Sequence, residues 1–343
     1  MSTLSNGPQL PSGGPAPASR ASMRDVAALA NVSLKTVSRT INSEPSVKTE
    51  TAARVMRAVS MLGYERNDLA RSLRNGRATL ALGLVISDVS NRFFALVARG
   101  VEEIARENGY IVISGNSDED PLRERDIVSS LTRRRIDALL IVPTSSDQAH
   151  LSRARATIPV AFIDRPAIDG GVDTVLLDNA EGARGAIKRL IDRGHERIGV
   201  VTGPMELYTY QERLAGYRRA LADAGLPVDE SLIRVGAHDA DEAEAATREL
   251  LAGDKPPTAL FATNNQMTIG AIKAIADRPE DIETIGFDDF ELADLVSVRV
   301  TTLAHDPSEM GREAARLVLN RLRGETGPPR LVVLPTRLMV REE

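Results

Sequence analysis

The sequence predicts an all-α head joined to an α/β body of about two lobes built on doubly wound parallel sheets. Residues 22 to about 66 hold three short segments with apolar residues at helical spacing. From Leu80 onward, nearly continuous apolar runs alternate with longer amphipathic stretches. Charge divides the chain at the same place: between Arg20 and Thr79 stand 11 Lys and Arg against 5 Asp and Glu. That is +6 in a chain of net charge −5, which leaves −11 for the remainder. A basic head on an acidic body fits a protein that meets phosphate at one end.

At 343 residues the chain exceeds one small core, so two or three units are expected. Residues 1–21, rich in Gly, Pro and Ser, read as a disordered tail without the basic and apolar regions of a secretion signal. Ser22 and Asp25 have capping-box spacing, and Val26, Leu29 and Ala30 form the inward stripe of a first helix. Asn31 tolerates the left-handed conformation that ends a helix in a tight turn. Ser33 is a good N-cap for a second helix with Leu34, Val37 and Ile41 inward. A third helix, from about Thr49 to Leu62, turns Ala52, Val55, Met56, Val59 and Leu62 inward before Gly63 closes it. Two short helices across a tight turn, braced by a third, make a helix-turn-helix over residues 22–66. Residues 67–79 form a basic connector whose own helix, capped by Asn67, is too short to stand alone.

Strands are expected at 80–86, 110–115, 136–143, 160–164, 174–178, 197–203, 232–236, 258–263 and 282–288. A helix near Pro307–Arg323 follows, then an extended run at 330–340. Apolar runs without alternation mean strands covered on both faces. No run of about 18 apolar residues exists, so no spanning helix or membrane partner is expected, and the cytoplasm is the expected compartment. With no Cys and four scattered His, neither a metal site nor a thiol nucleophile is implied. No nucleotide-binding or nucleophile-elbow motif follows a strand, so no cofactor, no catalytic residue and no enzyme is expected.

With Leu34, Val37 and Ile41 inward, Lys35, Thr36, Ser38 and Arg39 project outward, donors suited to base edges and phosphates in a major groove. For four polar residues alone a solvated helix face is the simpler reading. The turn, the third helix and the basic head favour DNA.

Here a resemblance becomes specific. "MRDVAALANVSLKTVSRTIN" and "VKTETAARVMRAVSMLGYERNDLARSLRNGR" resemble the headpiece of the lactose-repressor family of bacterial transcription regulators. Two departures are Asn31 for the usual turn Gly and Arg66 for a common Pro. The resemblance implies that Leu34 and Lys35 read bases, Arg39 adds base or phosphate contact, and Ser33, Thr36, Ser38 and Asn42 position the helix. It also implies that residues 67–79, Arg71 among them, form a hinge helix beside a dimer partner, with Leu73 wedged into the minor groove. Leu34 also fits the inward stripe, so a core role stays open.

The body resembles the two-lobed, periplasmic-binding-protein-like fold that this family carries, through "SDVSNRFF" (87–94), "FIDR" (162–165), "FATNNQMTIGA" (261–271), "IGFDDF" (285–290) and "TTLAHDPSEMGREAARLVL" (301–319). It implies a body over 80–343, with lobe one at about 80–163 and 304–325 and lobe two at about 164–303 and 326–343. In the cleft, Phe93 and Phe94 would be walls, and Asp164, Asn264 and Asp288 would bond hydroxyls. Arg213 would supply a fork, His238 a face, and Thr209 is a weaker candidate. Asn265 stands where sugar sensors of the family commonly have Asp, which would alter the hydroxyl pattern read. Without the family, the two Phe read as a core pair, the two Asp as helix caps and Arg213 as a surface ion-pair partner.

The expected function is a ligand-responsive, sequence-specific transcription regulator, a repressor by the family's habit. Its expected partners are a palindromic double-stranded DNA operator, a sugar-like effector in the cleft, and a second copy of the chain, with a tetramer as the alternative to a dimer. The rival reading is a solute-binding sensor whose head does not regulate transcription.

Overall fold

The computed structural model describes residues 21–41, 44, 46–64, 78–276, 282–291, 293 and 298–340. The chain divides into two compact units, Met1–Arg77 and Ala78–Glu343. The tail through residue 20, the connector residues 67–77 and residues 277–281 lie outside the described residues.

In the first unit, α1 (Met23–Ala30), α2 (Leu34–Ile41) and α3 (Thr49–Leu62) pack around Val26, Ala27, Ala30, Val37, Val55 and Ala58. The capping box forms: Ser22 Oγ accepts from the Asp25 N–H, and Asp25 accepts from the Ser22 N–H at 2.8 Å. Asn31 closes α1 at φ +48, the left-handed conformation its short amide side chain tolerates. Ser33 caps α2, its Oγ accepting from the Thr36 N–H at 3.1 Å. Three inward assignments need correction: Leu29, Leu34 and Met56 are exposed, while Ala27 and Ala58 are buried in their stead. Small residues bring helices this short close together, and the long side chains are left at the rim.

The second unit holds two six-stranded sheets. The first contains β1 (Ala81–Ile86), β2 (Ile111–Asn116), β3 (Ala138–Ile141), β4 (Val160–Ile163), β5 (Asp173–Leu177) and β11 (Leu331–Leu334), in the order β11-β5-β4-β3-β1-β2. The second contains β6 (Ile198–Val201), β7 (Ile233–Arg234), β8 (Ala259–Ala262), β9 (Glu283–Phe287), β10 (Val300–Ala304) and β12 (Arg337–Met339), in the order β12-β10-β9-β8-β6-β7. Position for position the two orders are the same. All pairings are parallel except β10 with β12. Interior strands β1, β3, β4, β5, β6, β8, β9 and β10 are buried throughout, as runs without alternation require.

The connecting helices are α4 (Arg92–Glu107), α5 (Pro121–Arg133), the single turn α6 (Ser152–Arg155), α7 (Asn179–Asp192), α8 (Tyr208–Asp223), α9 (Ala240–Leu251), α10 (Asn265–Ile275) and α11 (Pro307–Leu322). In lobe one α4 packs on α11; in lobe two α7 packs on α8, and α9 on α10. The expected lobe boundaries are corrected at two places. Residues 173–177 and 331–334 lie in the first sheet, not the second. Apolar strands carry no mark of which sheet they join, so only topology separates them. Strand β10 was also missed, since Thr301 and Thr302 break its apolar run. The chain passes between lobes three times: after β5, between β10 and α11, and between β11 and β12.

Candidate DNA-reading helix and interlobe cleft

On α2 the side chains divide by physical role. Val37 alone is fully buried, anchoring the helix. Leu34, 46% exposed, is not a core residue, and Lys35 beside it is exposed too. Ser33 and Thr36 are engaged with each other, Oγ to Oγ1 at 2.9 Å, which fixes the first turn. Ser38 and Arg39 are half-buried, and Arg39 lies 3.5 Å from Glu44. Behind them the Arg54 guanidinium donates to Ala30 O at 3.1 Å, tying α3 to the end of α1. A short rigid helix thus presents one aliphatic and several donor side chains outward, the arrangement that enters a major groove. Asn42, Arg71 and Leu73 lie outside the described residues.

In the body, a cleft of about 710 Å³ lies between the C-terminal ends of the two sheets. Of the nine expected effector residues, eight line it: Phe93, Phe94, Asp164, Thr209, Arg213, His238, Asn264 and Asp288. Asn265 does not. It is buried, and its amide donates to Asn91 Oδ1 at 2.9 Å, a bond from lobe two to lobe one. Its departure from Asp therefore bears on how the lobes meet.

Phe93 and Phe94 make an edge-on pair, centroids 4.9 Å apart, at the start of α4. Arg213 is no surface partner: its side chain is 4% exposed. Its guanidinium lies 3.6 Å over the Phe287 ring, donates to Asn179 Oδ1 at 2.8 Å and to Thr263 O, and stands 3.6 Å from Asp288 Oδ2. Asn264 caps α10, accepting from the Met267 N–H at 2.8 Å and donating to the Tyr210 hydroxyl at 2.9 Å. Burial pushes that phenol up to about 12, so it stays protonated. His238 is 71% exposed and held by Glu242 at the rim, where it gives the cleft an edge but no buried face.

Asp164 and Asp288 cap no helix. Each follows a strand, β4 or β9, at φ +66, a left-handed conformation rare for a residue with a side chain. Burial pushes the Asp164 carboxyl up to about 6, while Arg165 and Arg213 oppose that rise. Reading the sequence did not single out Arg165, Glu119, Ser87 or Thr144. Arg165 is buried, grips Glu119 through two bonds of 2.6 and 2.7 Å and donates to Pro143 O. The signal for it lay in "FIDR", one residue past the Asp.

Among the described residues, four buried side-chain oxygens in the cleft lining have no hydrogen-bond partner: Asp164 Oδ1, Asp288 Oδ1, Ser87 Oγ and Thr144 Oγ1. Buried polar atoms left unpaired are uncommon and costly. The cleft is thus ready to accept hydrogen bonds from a molecule rich in donors.

The pattern described as "Bacterial regulatory proteins, lacI family" matches residues 22–67, and that described as "Periplasmic binding protein-like domain" matches residues 187–342. Catabolite control protein A of Priestia megaterium is 33% identical over 324 residues, 93% of this chain and 97% of its own. The HTH-type transcriptional repressor PurR of Vibrio campbellii is 32% identical over 327 residues, 94% of this chain and 98% of its own. A solved transcriptional regulator CelR–cellobiose complex matches with a TM-score of 0.70 at 34% identity, covering 94% of this chain and 99% of that one. The lac repressor dimer bound to operator matches in fold, with a TM-score of 0.80 at 24% identity over 94% of this chain and 98% of that one. Head and body together define a ligand-responsive, DNA-binding transcription regulator rather than an enzyme. The chain belongs to the lacI family of bacterial regulatory proteins. Among the described residues, no helix is long and apolar enough to cross a membrane.

Proposed function

We propose that the chain is a repressor that grips an inverted-repeat operator as a dimer and changes that grip when a sugar-like molecule enters the cleft. It would act in the bacterial cytoplasm. Leu34 and Lys35 read bases, Arg39 adds a base or phosphate contact, and Ser33, Thr36 and Ser38 set the helix on the backbone. Asn42, Arg71 and Leu73 are assigned to the DNA side by the resemblance. The observation that carries the effector class is the set of four unpaired buried oxygens around the cleft. A polyol offers many hydroxyl donors and an apolar ring face that Phe93 can cover. The CelR neighbour was solved with cellobiose, a ligand of that class.

Coupling follows from topology. The lobes are joined by three crossings, so a ligand that draws Asp164 toward Asp288 rotates one sheet against the other. Such a change typically couples two sites by about 1–3 kcal/mol, reciprocally. Fluorescence anisotropy on inverted repeats from the protein's own upstream region tests the reading, with a thermal-shift screen of neutral sugars. The expected result is specific binding whose affinity falls steeply with salt and moves with one sugar. Binding indifferent to salt and to sequence would favour a sensor whose head does not regulate transcription.

A further inference from the structure

Lobe one carries a second concavity, away from the cleft lining, between α5 and the turn 149–155. It encloses about 430 Å³, and its lining includes three arginines, Arg125, Arg133 and Arg153, with Ser129 and a floor of Val128 and His150. Nearby arginines outside the lining are matched with carboxylates: Arg123 pairs with Asp118, and Arg155 with Asp169 at 2.7 Å. The three in the lining are not. Among the described residues, Arg125 and Arg153 make no ion pair or side-chain hydrogen bond, and Arg133 only donates to Ser129 Oγ at 2.6 Å. All three are exposed, so water screens their mutual repulsion, yet they frame one concavity with no carboxylate paired to them among the described residues.

The floor connects inward. The His150 side chain is 9% exposed, and its Nε2 lies 2.7 Å from Oε1 of Glu124, itself 1% exposed. That contact has ion-pair distance but not the angles of a hydrogen bond. The other carboxylate oxygen, Glu124 Oε2, accepts from the Thr144 N–H at 2.6 Å. Thr144 lines the interlobe cleft, where its hydroxyl is one of the four unpaired oxygens. Two buried side chains therefore separate the arginine-lined concavity from the ligand cleft.

We propose that this concavity binds a small phosphate-bearing molecule and that its occupancy is felt at the cleft through His150, Glu124 and Thr144. Guanidinium forks suit phosphate oxygens in pairs, and a concavity with a closed floor suits a compact anion better than an extended chain. A charge placed over His150 changes the field that Glu124 experiences, and with it the hold of Glu124 on the Thr144 amide. This inference does not depend on the nature of the cleft ligand or on the operator.

Inorganic pyrophosphate, titrated calorimetrically into the full-length chain at fixed ionic strength, tests the site. One site per chain is expected, weakened about tenfold or more in Arg125→Gln/Arg153→Gln and unchanged in the cleft variant Asp164→Asn. Equal binding by the arginine variant, or an equal response to sodium sulfate, would overturn it. Saturable binding only of long polyanions would also overturn it, in favour of a macromolecular partner. Hydrogen exchange over 138–146 tests the coupling. Pyrophosphate should change the rate of the Thr144 amide at least about twofold in the natural chain, but not in His150→Gln. An unmoved Thr144 amide would leave an anion site without a link to the cleft and reject that half of the proposal.

Discussion

Asp164 and Asp288 occupy the same place in two copies of one topology, each at φ +66 at the mouth of the strand third from its sheet edge. Their surroundings differ. Asp288 has Arg213 3.6 Å away, a guanidinium itself locked by Asn179, Thr263 and the Phe287 ring. The arginine nearest Asp164, Arg165, stands 3.9 Å off through Nε and gives its fork to Glu119 instead. Asp288 has a cation facing it; at Asp164 burial outweighs the pull of Arg165 and Arg213 and raises the carboxyl to about 6. A repeated fold therefore does not repeat its electrostatics. The lobes differ in which carboxylate their arginine takes: Arg213 faces Asp288 at 3.6 Å, whereas the Arg165 fork goes to Glu119 and leaves Asp164 aside.

The strongest way to break this comparison is to remove each cation. Arg213→Leu should strip a buried carboxylate of its partner and leave Asn179 and Thr263 O unanswered. The expected loss is about 3–5 kcal/mol, read as a lowered urea midpoint. Arg165→Leu should cost visibly less, because the Glu119 side chain it releases is 36% exposed and can take up water. Equal losses would erase the asymmetry.

Acid sharpens it next. The Asp164 pKa is raised in the folded state from 3.8 to about 6, so the folded chain holds the extra proton between those values. Stability should then fall as pH rises through about 4 to 6, by about 3 kcal/mol at most, and Asp164→Asn should flatten that slope. An identical slope in the variant would show that other groups carry it. Affinity for a hydroxyl-rich ligand should run the opposite way, weakening below about pH 6 as the acceptor is protonated.

Helix contacts probe the lobes where they should agree. A methyl group at Gly100 would meet Ser308 O on the neighbouring helix of lobe one, and one at Gly216 would meet Ala180 O in lobe two. Both Gly100→Ala and Gly216→Ala are expected to cost about 1–3 kcal/mol in thermal unfolding. The smallest effect on the body belongs to the head: Leu34→Ala should change stability by less than about 0.5 kcal/mol yet weaken operator binding about tenfold. Unchanged operator affinity would remove Leu34 from the reading surface.

What the sequence disclosed follows the same division. The head was legible because its residues are consecutive and the caps of its three helices are local: Ser22, Asn31, Ser33 and Gly63 each act within one turn. Most strands were legible too, since burial on both faces leaves an apolar run. The cleft was legible only at positions marked by the family resemblance. Arg165 and Glu119 are 46 residues apart and meet only across the C-terminal end of the sheet, where β3 and β1 lie between β4 and β2. Asn265 looked like a ligand residue until its bond to Asn91, 174 residues away, placed it at the lobe junction. Nothing local announces such partners. The inward roles wrongly given to Leu29 and Met56 have a related cause, because periodicity finds a face but not the small residues on which helices actually touch.

The triple passage of the chain between the sheets has a practical meaning for engineering. Neither half of the sensor is a continuous stretch, so cutting at any single bond yields two fragments that each lack part of a sheet. A chimaera that borrows lobe two from a relative must splice at three junctions, near 178, 305 and 335, and a one-junction graft would leave β11 or β12 stranded beside a foreign neighbour.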